Sequence, residues 1–332
     1  MKQFNFKLKF QKISQNARSN NFVPKLKQII QDFEKNHSKR AAIFYAVLSQ
    51  VCFTAMYFCV SLLKTKYSSI HIINMRKIIG FIFNSLYCQV NQVPVYSEKP
   101  SIFKLLTLRG ILGGLDVICV FTCFTLMSVS DGSIIVNTNP IWTNFLAAIF
   151  LGEKLSKKAI GFCTLSFLGI ILVSRPPFLF ADNHSSTNQK NQNQLQGTLY
   201  GLAGSLFVAS VQIVVRKLSH QLKCNGAMHM QYSYIICIFL TSILLINNNE
   251  KPFVFNLKFF CIITILSLCG FAAQLLQSKA LSLEKASIIT PMKYLQILLS
   301  FLIDIIVFKN HVILTSVIGA ILIIFGSIGV II

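Results

Sequence analysis

Charge is scarce in this 332-residue chain, where 12% of the residues are charged and only ten are acidic. Soluble domains carry roughly 25% charged residues, so a water-soluble globule is excluded. No GxxxxGK[ST] loop is present, which rules out ATP as an energy source through that motif. HExxH, GxSxG and clustered carboxylates are missing too, and no enzyme activity is expected. The ten cysteines include no CxxC pair, and no His-rich tract accompanies them. Cys119 and Cys123 share a helix face, but two thiols are too few for a zinc site. The cysteines read as small packing residues, with no metal or cofactor expected. Residues 1–40 lack the apolar core and small-residue cleavage site of a signal peptide. The first twenty are basic and acid-free, with Phe4, Phe6, Leu8, Phe10 and Ile13 interspersed. They leave a mitochondrial presequence open beside a tail that lies on anionic lipid or is disordered.

Apolar residues are what the chain has in quantity: 54% belong to the hydrophobic set, and the mean hydropathy is +0.62. Runs of about 18 to 22 apolar residues, each enough to cross roughly 30 Å of hydrocarbon, recur from Ala41 to Ile332. Charge and turn breaks divide them into ten predicted transmembrane helices, near residues 41–63, 69–90, 102–127, 131–151, 158–174, 197–217, 227–247, 257–281, 286–308 and 312–332. The fold class is an all-α integral membrane protein. A basic tail (1–40) precedes a first five-helix block (41–174), a polar loop (175–196) and a second block (197–332). The loop, rich in Asn, Gln and Ser, reads as a mobile linker.

The formal charge of +21 would suggest nucleic acid in a soluble protein. Its placement points to a membrane instead. Ten of the 31 basic residues fall in the first forty positions, and short alternate segments carry Lys99, Lys104, Lys154, Lys157, Lys158, Arg216, Lys217, Lys223, Lys279 and Lys285. This positive-inside pattern predicts both termini cytoplasmic. It leaves the sequon Asn183-His184-Ser185 outside. The partners expected are the lipid bilayer and a small-molecule substrate, with no nucleic acid. The oligomeric state stays open, a homodimer included, and plasma membrane and endomembrane are not distinguished.

An offset of 154 residues sets Ser133-Ile134-Ile135 beside Ser287-Ile288-Ile289. Gly161 and Gly169 match Gly319 and Gly326 after an added turn. Because five is odd, two consecutive five-helix units enter the membrane from opposite sides. They are therefore inverted repeats, the architecture of many secondary transporters. Ser130-Asp131-Gly132-Ser133-Ile134-Ile135, Asn139-Pro140, Phe150-Leu151-Gly152-Glu153-Lys154-Leu155-Ser156 and Leu168-Gly169-Ile170-Ile171-Leu172-Val173-Ser174-Arg175-Pro176-Pro177-Phe178 resemble the EamA repeat of the drug/metabolite transporter superfamily. The Arg-Pro-Pro-Phe ending looks most like the G-type branch of solute carrier family 35. The second repeat departs from the pattern, with Tyr294 where the family often has proline and Phe308-Lys309-Asn310-His311 in place of the Gly-Glu turn. The resemblance spans residues 41–332. It implies ten helices, cytoplasmic ends and a central cavity that opens alternately to each side.

Ionisable side chains inside a bilayer cost about 2.5 to 3.5 kcal/mol on insertion scales, so they usually face a cavity or a partner. Arg76, Lys77, Arg109, Asp116, Lys293 and Asp304 fall within predicted helices. Lys293 and Tyr294 follow Pro291, which frees a backbone carbonyl. Asn137, Asn139, Pro140 and Trp142 occupy the equivalent stretch of the first block, and paired broken helices point to a transporter site. Gln212, Gln231 and Gln274 add neutral donors and acceptors, for interhelical bonding or cavity lining. Glu153 reads as a cap on helix five or the partner of a nearby lysine. The function expected is a secondary transporter or exchanger of a small metabolite, with an anionic substrate favoured slightly over a cationic one. A non-transporting membrane scaffold or regulator is the alternative.

Overall fold

In the computed structural model the described residues are 34–63, 67–97, 99–126, 135–153, 157–174, 188–247, 256–299, 302 and 314–331. They contain ten helices in two sets of five. The first set is α1 (Ser38–Leu63), α2 (Ser69–Val90), α3 (Pro100–Leu126), α4 (Asn139–Leu151) and α5 (Lys157–Ser174). The second is α6 (Asn188–Arg216), α7 (Gly226–Asn247), α8 (Leu257–Leu283), α9 (Ala286–Leu299) and α10 (Leu314–Ile331). By length and composition four segments suffice to cross a membrane: Ser38–Val60, Leu195–Gln221, Gly226–Asn247 and Leu257–Leu283. Shorter apolar helices among the described residues are Asn139–Leu151, Ile160–Leu172, Ala286–Leu299 and Val317–Gly326. Outward faces carry Phe44, Leu48 and Val51 on α1, and Ile235, Phe239 and Ile246 on α7. Such contiguous apolar surface suits lipid rather than water.

The packing follows the repeat. Helix α1 lies along α8, and α3 lies along α6; exchanging the two sets turns one pair into the other. The same exchange relates α2 on α8 to α3 on α7, and it leaves α2 on α7 and α5 on α10 unchanged. Small residues allow the closest of these approaches. A Cβ on Gly169 of α5 would stand 2.6 Å from the Gly319 carbonyl oxygen and 3.0 Å from the Ile323 nitrogen of α10. Gly326 of α10 sits against Ser166 and the backbone of Phe162. The obstacle at Gly169 is backbone, which cannot swing aside. Gly169→Val is therefore expected to destabilise the protein by about 1 to 3 kcal/mol in thermal unfolding of the detergent-solubilised protein. Gly161→Val, at a position where a Cβ meets nothing within 4 Å, should stay within about 0.5 kcal/mol. Equal losses at both sites would refute close packing as the cause.

One departure from the sequence reading and one expected break bear on the site. Helix α6 begins at Asn188, so the stretch 188–196, expected as linker, is helical. Its Gln and Lys residues are adequate helix formers, and the long apolar helix that follows supplies the nucleus from which the ladder extends. The predicted fourth helix is broken: residues 135 and 136 are helical, Asn137 and Thr138 form a turn, and α4 starts at Asn139 with Pro140 in its first turn. Helix α9 is interrupted in the same way by a 3-10 turn over Thr290–Lys293. The 154-residue offset sets Asn137 beside Pro291 and Asn139 beside Lys293, so the two breaks coincide under the repeat. Asp304 and the sequon at Asn183 lie outside the described residues.

Candidate functional site

The six positions of highest interest in the sequence were cationic or acidic residues within helices, and the fold brings five of them to the middle of the bundle. Arg76 and Lys77 lie on α2, Arg109 and Asp116 two turns apart on α3, and Lys293 in the 3-10 turn of α9. Lys293, Lys77, Arg109 and Arg76 all stand within electrostatic reach of Asp116, Lys293 acting on it most strongly. Asp116 and Lys293 are both half-buried. Tyr57 of α1, 49% exposed, has Arg76 and Asp116 as its charged neighbours.

Each cation is held loosely. The Arg76 Nη1 donates to the Met56 sulfur at 2.8 Å, a weak acceptor that leaves most of the guanidinium fork unused. The Arg109 Nη1 donates to the Ser233 hydroxyl at 3.2 Å, while its buried Nε has no acceptor among the described residues. The Lys77 Nζ stands 5.6 Å from the centre of the Tyr234 ring, within cation–π range. Two glycines make this arrangement sterically possible. A Cβ on Gly113 would meet the Arg109 guanidinium at 2.5 Å, and one on Gly80 would meet the Tyr234 ring at 2.9 Å. Buried donors normally find acceptors, and among the described residues the Arg109 Nε is a buried donor that lacks one.

Other expected site residues divide. Asn137 lies half-buried in the α4 break, and Asn139 is buried, donating to the Val136 carbonyl at 3.0 Å while its Oδ1 has no partner among the described residues. Gln212 on α6 and Gln274 on α8 likewise each keep a buried Oε1 without a donor among them. Gln231 does otherwise: it accepts from Asn84 and donates to Ser85 at 2.8 Å, tying α7 to α2. Tyr294 is fully buried against Ile170 of α5 and Ile323 of α10, which takes it away from the cations. Trp142 is 38% exposed on the face that carries Phe145 and Ile149, and the fold does not bring it to the cation group. The sequence reading did not include Tyr57, Met56 or Ser233. Only a phenol in the middle of an apolar helix, with a hydroxyl needing a polar neighbour, could have signalled the first.

Glu153 reaches α6 and α9. It accepts from the Arg216 Nε at 3.4 Å, from the backbone N–H groups of Ala286 (3.3 Å) and Ser287 (3.5 Å), and from the Ser287 hydroxyl at 3.3 Å. It therefore caps α9, and its cation among the described residues is Arg216; Lys154, the neighbouring lysine, lies outside them. The reach is possible because Gly152 ends α4 in the left-handed region at φ +65°, where glycine carries no Cβ penalty.

A family model described as the EamA-like transporter family matches residues 40–175 and 195–332. Human solute carrier family 35 member G1 is 28% identical over 227 residues, 68% of this chain and 61% of that protein. Its mouse counterpart is 25% identical over 291 residues, 86% of this chain and 77% of that protein. The pseudopaline exporter CntI of Pseudomonas aeruginosa is 22% identical over 265 residues, 78% and 84% of the two chains. The present chain thus spans somewhat under two thirds of the human relative's length. A solved crystal structure superposes with a TM-score of 0.73 over 87% of this chain and 96% of the other, at 12% identity. That likeness concerns the fold alone.

Proposed function

The chain belongs to the EamA-like transporter family, and from that premise we propose that it is a secondary carrier or exchanger that moves a small anionic metabolite by alternating access. Its relatives include proteins named as a solute carrier and as an exporter, and a membrane transporter is the function they support. The observation that carries the finer reading is the charge of the enclosed group: four cations, Arg76, Lys77, Arg109 and Lys293, face a single carboxylate, Asp116. Unmet guanidinium donors favour carboxylate or phosphate groups, which accept two parallel N–H bonds. The matched breaks at Asn137–Thr138 and Thr290–Lys293 fall at equivalent positions of the two repeats, which supports a shared midplane site. Both termini on the cytoplasmic side, from the distribution of basic residues, completes the proposal.

The test is flux through reconstituted protein. Liposomes containing the folded, full-length chain are offered radiolabelled carboxylates, phosphorylated sugars, nucleotide sugars, neutral amino acids and organic cations. Uptake or exchange of at least one anion, absent from protein-free liposomes, is expected. Flux confined to cations, or none across the panel, would overturn the reading.

A further inference from the structure

Where α4 and α6 end and α9 begins, Glu153, Arg216, His220, Gln221 and Lys285 line a crevice of about 310 Å³, at the small end of the size range of small-molecule sites. None of Arg76, Lys77, Arg109, Asp116 and Lys293 lines it. Its one carboxylate is already engaged: the Arg216 guanidinium, two backbone N–H groups and the Ser287 hydroxyl all donate to Glu153. The groups left over are donors. Arg216, whose side chain is 8% exposed, gives its Nε to Glu153 and its Nη1 to the Leu281 carbonyl, and its Nη2 has no acceptor among the described residues. His220, Gln221 and Lys285 are exposed, and their side chains make no hydrogen bond or ion pair among those residues.

The backbone assembles this set. The Leu222 N–H bonds to the Lys217 carbonyl, five residues back, at 3.1 Å. That widened turn lets His220 and Gln221 both flank Arg216, whereas a regular α-helix would carry Gln221 round to another face. A guanidinium edge, an ammonium and an imidazole around one small space suit a phosphoryl group, which offers several acceptor oxygens and a full negative charge. The crevice also adjoins apolar surface. Leu151 is part of its wall, and the two residues before it on α4, Ile149 and Phe150, are 72% and 65% exposed. An acyl chain lying along that surface leaves its headgroup at the crevice.

We propose that this crevice is a binding site for a phosphoryl group, supplied by the headgroup of an anionic phospholipid. Lys285, His220 and the Arg216 Nη2 hold the phosphate oxygens, and the acyl chains follow Ile149 and Phe150. Basic pockets between helix ends at a membrane surface are suited to such headgroups. Because its walls come from α4 of the first repeat and from α6 and α9 of the second, the bound headgroup joins the two repeats at this end and stabilises the fold. The site is independent of the substrate reading, and either can fail without the other.

The measurement is thermal unfolding of the purified full-length protein in a neutral detergent. Phosphatidic acid is titrated into the micelles against phosphatidylcholine, and sodium phosphate is titrated separately against sodium chloride at equal ionic strength. High salt is kept throughout, at about 0.5 M, to screen the general attraction between this basic protein and anions. Phosphatidic acid should stabilise the wild type, and Lys285→Gln should raise its half-saturating mole fraction at least about tenfold. Lys104→Gln removes an equal charge from an exposed position outside the crevice, and should stay within about twofold. No stabilisation by either phosphate source, or equal shifts in the two variants, would overturn the site. Stabilisation by sodium phosphate that depends on Lys285, with none by phosphatidic acid, would overturn the lipid as its source while keeping the phosphoryl chemistry. Stabilisation indifferent to Lys285 would place the bound phosphate elsewhere and overturn the proposal.

Discussion

Lys293→Met will abolish transport, or raise the half-saturating substrate concentration by at least about thirtyfold, in a protein that still folds. Removing one member of an enclosed charge interaction commonly costs about 2 to 5 kcal/mol of binding, and each 1.4 kcal/mol is tenfold. Lys293 is the cation that acts most strongly on Asp116, and it stands at the end of the 3-10 turn begun by Thr290 and Pro291, where the backbone itself is opened. Methionine keeps much of the apolar stem that a lysine packs along its path. Three cations still face Asp116 after the change, so the carboxylate is not stranded and the helix bundle should persist. Flux in liposomes and thermal unfolding of the same preparation separate the two effects. Normal flux by folded Lys293→Met protein would show that the lysine merely reaches out of the apolar region, and would move the site to Arg76 and Lys77.

What could be read from the chain and what could not divides along one physical line. Apolar runs, charge breaks and Pro291 act within a few residues of themselves, so each of the ten helices starts or ends close to where the sequence put it, and the α9 interruption falls where proline removes a donor. The matching α4 break at Asn137–Thr138 carries no proline in its turn, and the repeat is what makes it intelligible. Burial cost alone identified Arg76, Lys77, Arg109, Asp116 and Lys293, because any charge in hydrocarbon demands an explanation. Facing is another matter. Trp142 and Tyr294 flank the same kind of break as Asn139 and Lys293, but α4 turns Trp142 outward with Phe145, and α9 turns Tyr294 into α5 and α10. Which side of a helix meets lipid is decided by its neighbours, and an all-apolar helix gives no amphipathic stripe from which to infer it.

Glu153 illustrates the same limit, and it supports the largest expected effect on stability. Its partners stand 63 and more than 130 positions away in the chain, beyond the reach of any local pattern. The Glu153 and Arg216 side chains are only 9% and 8% exposed, and Arg216 also donates to the Leu281 carbonyl at 2.6 Å. One carboxylate thus joins the end of α4 to the end of α6 and the start of α9, across the two repeats. Immediately after Arg216 the chain passes into a π turn, Lys217–Gln221, whose wider spacing is characteristic of places where helices are adjusted for function. Glu153→Ala should lower stability by about 3 kcal/mol, the lower end of the cost of stranding one member of a buried ion pair. The lower end applies because Leu281 keeps hold of the guanidinium, and because a crevice of about 310 Å³ beside Glu153, Arg216, His220 and Lys285 gives water access. Glu153→Ala combined with Arg216→Met removes both charges, and it should recover more than half of that loss. Chemical unfolding in detergent of the four proteins of the cycle provides the measurement. Losses that simply add would mean that Glu153 and Arg216 stabilise the fold separately, and that the carboxylate serves α9 alone.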